Sequence, residues 1–174
     1  MNIREVIQAL NQMQSDGVVG RCAIGGAVGA TFYLEPFATL DVDIFVTMRS
    51  EPGKLLLSLE PIFDYLKARG CTIEGEYVII GGWPVQFLPP TGPLVEEALA
   101  ESVEMNIEGT VVRVFTADHL AAIALQTGRA KDKSRLLQFV ESGSLSTIAF
   151  QQILQRHGLQ EKWERFTLQF LSDS

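Results

Sequence analysis

Cysteine and histidine are scarce in this sequence: Cys22 and Cys71 stand far apart, outside any CxxC or Cys/His ligand spacing, and His119 and His157 are the two histidines. A disulfide framework is therefore not indicated and no zinc-ligand pattern is visible, so both cysteines are expected as buried, reduced thiols. No apolar run is long enough to cross a bilayer. The opening segment MNIREVIQALNQMQ interleaves apolar and polar residues at helical spacing, unlike a secretory signal, and the expected location is cytoplasmic. Positive charge is also short, with 14 Lys and Arg against 21 Asp and Glu and a net charge of −7. That balance argues against broad nonspecific nucleic-acid binding, because such affinity comes from cations neutralising phosphates. A small substrate, or an RNA end held by a local basic cluster, remains compatible with it.

What is present is a succession of periodic segments, in a chain of 174 residues that is long enough to bury a real core. Ile3, Val6, Ile7, Leu10 and Met13 form one helical stripe, stopped by Asp16-Gly17. Val18 to Ile24 reads as a strand ending at Gly25-Gly26, followed by a helix in AVGATFYL and a second strand over Leu40 to Thr47. Residues 51 to 69 carry Leu55, Leu56, Leu59, Ile62, Phe63 and Leu66 at helical spacing, with Pro61 expected to kink or break the helix. CTIEGEYVII and PVQFL, separated by Gly81-Gly82, predict a hairpin, and a second is predicted around Glu108-Gly109. Thr116 is the expected N-cap of a helix over ADHLAAIALQTG, and three further helical segments complete the chain. The fold class expected is α+β, or mixed α/β: a small mixed sheet flanked by helices over residues 1–115, then a C-terminal helical segment over 116–174 packed on or beside it.

Chemistry concentrates in LDVDIFVT. Residues two apart on a strand face the same side, so Asp41 and Asp43 project together while Val42 and Ile44 enter the opposite layer. Their Cα atoms would stand about 6–7 Å apart, a spacing at which two carboxylates can hold one or two magnesium ions. An isolated DxD is more often just the polar side of a strand. Here the glycine pair upstream changes the balance, because Gly25-Gly26 lies between a predicted strand and a predicted helix, where backbone N–H groups receive phosphate oxygens. No Lys-Ser or Lys-Thr follows to make a P-loop, and GGAVGA has the wrong glycine spacing for a dinucleotide-binding turn.

Taken together, AIGGAVGATFYLEPFATLDVDIFV resembles the core motif of the nucleotidyltransferase superfamily (the DNA polymerase beta-like minimal fold), hG[GS] followed by Dh[DE]h, and especially its AbiEii-like bacterial branch, some members of which are toxin-antitoxin related. Thr39 matches the T-x-D-x-D form of that branch, and RAKD at 129–132 resembles its downstream R-x-KD helix start. The resemblance implies transfer of a nucleoside monophosphate from an NTP to a hydroxyl on a small molecule, RNA or protein. It implies Asp41 and Asp43 as catalytic ligands of Mg2+ or Mn2+, and Gly25, Gly26, Thr39, Arg129 and Lys131 as nucleotide-binding residues. It also places a third catalytic acid in the PVQFL strand, where this sequence has Gln86. A neutral amide cannot take the hydroxyl proton as a carboxylate does, so the alternative expectation is a catalytically impaired nucleotide- or protein-binding module. Glu74 and Glu76, on the preceding strand, are the acids that could substitute. Two further departures are the fourteen residues between Gly26 and Asp41, and Phe37 where related sequences often carry Arg.

Arg129, Lys131 and Lys133 can meet phosphates, or can form a solvated helix start with Asp132 on the helix dipole. Both histidines are expected to be structural, with His157 suited to a helix C-terminus. Trp163, Phe166, Leu168, Phe170 and Leu171 suggest either core cover or an exposed interaction face.

Overall fold

A computed structural model describes residues 1–36, 38–48 and 58–172 of the chain. Helix α1 (Ile3–Ser15) opens it, capped by the Asn2 side chain. Strand β1 (Cys22–Ile24), the short helix α2 (Gly26–Ala30) and strand β2 (Val42–Val46) follow. Next come α3 (Glu60–Ala68), β3 (Thr72–Glu74), β4 (Tyr77–Ile80), β5 (Trp83–Leu88) and α4 (Pro93–Ala100). The hairpin β6 (Val103–Ile107) and β7 (Thr110–Val114) leads to α5 (Ala117–Thr127), α6 (Ala130–Ser142), α7 (Thr147–Arg156) and α8 (Gln160–Phe170).

The strands form one mixed sheet in the order β3-β4-β5-β2-β1-β7-β6. β1 runs antiparallel to β2 and parallel to β7, and β2 runs parallel to β5. The expected mixed α/β class is the observed one. One face is closed by α1 and α3, whose Val6, Ile7, Leu10, Met13, Ile62 and Leu66 pack on Val42, Ile44, Val46, Val85 and Phe87. A helix of 13 residues is marginal alone. Each of these fully buried aliphatic side chains contributes about 1.5–3 kcal/mol, so α1 is held by its stripe more than by its propensity. The other face carries α4 to α8 around Phe115, Leu120, Leu136, Phe139 and Phe150, and this apolar cluster also takes in Ala23 and Ala30. Residues on both sides of Thr116 thus share one core.

Several local expectations shift. The first strand is only Cys22–Ile24, because Val18 and Val19 belong to the turn out of α1. Pro61 does not kink a helix; it occupies the first turn of α3, where its missing N–H has no helical partner to lose. Leu55, Leu56 and Phe37 lie outside the described residues. CTIEGEYVII is divided at Gly75-Glu76, so the two-strand hairpin is a three-strand meander. α4 follows Gly92, at φ 83°, and starts at Pro93, a start signal that the sequence reading passed over. Among the described residues, no helix is long and apolar enough to cross a membrane. Trp163 and Phe166 turn inward, Trp163 meeting Phe150 edge to face at 5.0 Å and stacking on Phe166, while Leu168 and Phe170 are exposed.

Candidate functional site

Alternation along β2 buries Val42, Ile44 and Val46 under α1 and α3 and leaves Asp43 and Phe45 on the other face. Asp43 is paired across the sheet with Gln86, so the residue at the third-acid position is its lateral neighbour. On the other side, Gly25 N–H donates to the Asp43 carbonyl at 3.0 Å. Beyond Gln86 the row continues to Tyr77, one residue past the Val78↔Val85 pair, and then to Glu74, which pairs with Tyr77. Gly25, Asp43, Gln86, Tyr77 and Glu74 therefore form one transverse row on one face. Three strand spacings of about 4.8 Å put Glu74 roughly 14 Å from Asp43, and Glu76 lies in the β3–β4 turn. Neither lines the cleft that Asp43 and Gln86 share.

That cleft has a volume of about 320 Å³, with Phe45, Phe115 and Leu120 in its floor and Arg129, Asp132 and Arg135 on its wall. Gly26 borders it with φ 56°. A Cβ at Gly26 would overlap the Asp43 carboxylate, and one at Gly25 would come within 2.6 Å of the Phe45 ring. The glycines are required by this close approach. Since α2 has only five residues and the Gly25 amide is committed to the sheet, the phosphate-receiving role expected of that turn has fewer free donors than the sequence suggested.

Asp41 lies one residue before β2, and its charge is felt at Asp43. Burial, then the Asp41 charge, raises the Asp43 pKa; Lys131, Arg135 and Arg129 pull it back down. Asp41 also reaches the half-buried Tyr77 hydroxyl, and burial followed by Asp41 and Glu76 raises that phenol. The Thr39 hydroxyl donates to the Asp41 carbonyl at 3.1 Å, so it braces the segment that carries the acid.

The basic side of the cleft comes from the first turns of α6. Asp132 is buried and accepts from Arg129 N–H at 3.2 Å and Arg129 Nε at 2.7 Å, with Arg135 3.9 Å away. Arg129 and Lys131 are thus brought to Asp43, together with Arg135, which the sequence reading missed. Its signal was readable as the step of three from Arg129 to Asp132 to Arg135 on one helix face. Lys133 is not part of this group; it lines a separate groove with Lys162 and Arg165. Among the described residues no ion pair reaches Asp43, so a partly buried carboxylate next to a second acid is left without a cation of its own. Two hard oxygen donors in that state fit a divalent ion of the magnesium type.

A second polar cluster joins α4, α5 and α7. Glu97 accepts from Arg156 Nε at 2.8 Å and Nη2 at 3.1 Å, and lies 2.9 Å from His119 Nε2. Arg156, then His119 and His157, hold its carboxyl down to about 2. His119 is indeed structural in placement: it is buried, and its Nδ1 stands 2.6 Å from the Thr116 hydroxyl that caps α5. Asp41 and Asp43 are not members of this group, which is the set of clustered acids and histidine among the described residues whose donor atoms lie close enough to share an ion.

No family model matches the sequence, and no curated protein matches it. Solved structures do. An antigenic nucleotidyltransferase-like protein from Paracoccidioides brasiliensis aligns over 91% of this chain and 90% of its own, with a TM-score of 0.58 and 14% identity. ANT(2")-Ia, in complex with adenylyl-2"-tobramycin, aligns over 92% of this chain and 96% of its own, with a TM-score of 0.53 and 14% identity. At such identity the likeness speaks for architecture: the chain has the fold of nucleotidyltransferase-like proteins.

Proposed function

We propose that the Asp43 cleft binds a nucleoside triphosphate with a divalent ion and transfers the nucleoside monophosphate to a hydroxyl acceptor. The observation that carries this reading is the meeting on one cleft of the partly buried Asp43, the Gly26 turn and the cations Arg129 and Arg135, with the charges of Asp41 and Lys131 near enough to act on Asp43. Mg2+ or Mn2+ would be held by Asp41 and Asp43, and when bound it would neutralise charge on the phosphates. Arg129 and Lys131 would bind phosphate oxygens, Arg129 through its planar fork. Thr39 and Gly25 would act indirectly, by fixing the backbone that carries the acids. The tobramycin adduct in the similar ANT(2")-Ia structure makes a small polyhydroxylated molecule one acceptor class to try; RNA and protein hydroxyls are the others. The AbiEii-like, toxin-antitoxin setting and a cytoplasmic, bacterial context belong to the same proposal.

A second reading rests on Gln86. It sits in register with Asp43, where an acid could activate the acceptor, and Glu74 and Glu76 are outside the cleft. On that reading the protein binds nucleotide, or a protein partner, and turns over slowly or not at all.

Calorimetry with ATP, GTP, CTP and UTP, with and without Mg2+, tests the first step. Binding should require Mg2+ and fall at least about tenfold in Asp41→Ala/Asp43→Ala; no binding of any NTP by the native protein would sink both nucleotide readings. Pyrophosphate release with candidate acceptors then separates them. Turnover by the native chain supports the transferase, whereas binding without turnover that Gln86→Glu converts into turnover supports the impaired module.

A further inference from the structure

The Glu97 cluster has a geometry that salt bridging alone does not account for. His119 Nε2 lies 2.9 Å from Glu97 Oε2 and 3.7 Å from Glu101 Oε2, and His157 Nε2 lies 3.2 Å from the same Glu97 oxygen. The donor atoms of Glu97, Glu101 and His119 all fall within 4.8 Å of one another. Ligands bound at about 2.0–2.1 Å around a tetrahedral zinc stand about 3.3–3.4 Å apart, and the three measured separations bracket that value. The other separations, those of His157 among them, would close by side-chain rotation on binding.

His157 is the independent sign. Its side chain is nine-tenths buried, yet Nε2 makes no hydrogen bond of normal geometry while pointing at the shared carboxylate. A sealed ring nitrogen that meets a carboxylate oxygen without hydrogen-bond geometry is uncommon and calls for an ion or another explanation. His119 meanwhile has the support that metal-bound imidazoles usually have, because the Thr116 hydroxyl at Nδ1 fixes the ring and leaves Nε2 facing the carboxylates.

We propose that His119, His157, Glu97 and Glu101 form a site for a divalent transition ion of borderline softness, Zn2+ first among them, and that Arg156 holds the site together when the ion is absent. Two imidazoles and two carboxylates suit zinc better than magnesium, which prefers oxygen alone. Arg156 supports the exchange: its guanidinium bridges to Glu97 and its charge is also coupled to Glu101, so it stands where an ion's charge would act, and its side chain is 45% exposed and free to swing outward. The ligands come from α4, α5 and α7, so an ion there would tie these helices together, away from the nucleotide cleft, with which the adjoining pocket shares no lining residue. Such a set has no sequence spacing to betray it.

The test uses chelator-treated full-length protein carrying Asp41→Asn/Asp43→Asn, so that the other acid pair cannot contribute. Calorimetric titration with Zn2+ should show one equivalent bound, and Co2+ should give the visible absorption of a tetrahedral site. Adding Glu101→Gln and His157→Gln, both outside the apolar core, should weaken Zn2+ at least about tenfold. Adding Arg156→Ala instead should tighten it, since a competing cation is removed. No Zn2+ binding, binding that Glu101→Gln/His157→Gln leaves unchanged, or affinity not raised by Arg156→Ala would each overturn the proposal.

Discussion

Asp43 and Glu97 are both carboxylates set against charged groups of the C-terminal helices, yet their surroundings treat them in opposite ways. At Asp43, burial and the Asp41 charge raise the pKa, and the cations of α6 offset this from a distance, two of them already engaged by Asp132. At Glu97, a guanidinium and two imidazoles lower it to about 2. The Glu97 charge therefore works for the fold as it stands, whereas the Asp43 charge costs the fold something, a cost that the proposed ligand would offset. Perturbation of this second kind marks functional sites more often than the first.

The sharpest way to break the comparison is at Gly26, where the Asp43 cleft depends on backbone geometry. Gly26→Ala would combine a positive φ with overlap of the Asp43 carboxylate, and we expect a loss of about 2–4 kcal/mol by urea denaturation. In an Asp43→Ala background part of that loss should disappear; a strictly additive double mutant would show that the overlap is relieved elsewhere.

Glu97→Gln comes next. It removes charge-assisted hydrogen bonds to Arg156 and His119, a loss of about 1.5–3 kcal/mol at neutral pH. The sign follows from the lowered pKa: the contribution is fully present above about 4.5 and is lost as pH falls toward 2. Urea midpoints of native and variant protein should therefore converge across that interval, and a gap that persists at pH 2 would contradict the assignment.

Asp43→Asn should have the opposite sign. A raised folded-state pKa means that stability is lost as pH rises through it, so removing the charge should stabilise the ligand-free protein at pH 7, on the order of 0.5–2 kcal/mol. The same variant should lose Mg-dependent NTP binding, and in the native protein that binding should weaken as acidification protonates Asp43 at a pH above its ordinary 3.8. A lower melting temperature in Asp43→Asn would place its charge among the structural ones. The smallest effect belongs to Lys133→Ala: because Lys133 faces the separate groove with Lys162 and Arg165, nucleotide affinity should stay within about twofold and stability within about 0.5 kcal/mol.

Where a signal was local, the sequence carried it. The stripe of α1, the N-cap at Thr116 and the turn at Glu108-Gly109 all appear, because helix and strand periods and cap chemistry depend on residues within a few positions of one another. α4 belongs with these local signals, since Gly92-Pro93 is a start signal within two positions. The strand at β3–β4 shows a real ambiguity, because Gly75-Glu76 inside an apolar run reads equally as a bulge or a turn.

For this protein the sequence alone determined the mixed α/β class, the alternation that turns Asp43 away from Val42 and Ile44, and the absence of an acid at position 86. It could do so because alternation is a property of the backbone and residue identity needs no context. Only the tertiary structure decided that Gln86 is the lateral neighbour of Asp43, that Glu74 is three strands away, that Gly26 is there to admit a carboxylate, and that Arg135 joins Arg129 and Lys131. It alone assembled Glu97, Glu101, His119 and His157 from three helices. Strand register and helix docking bring together residues far apart in the chain, and the burial that raises Asp43 and the cations that lower Glu97 act only once they have done so.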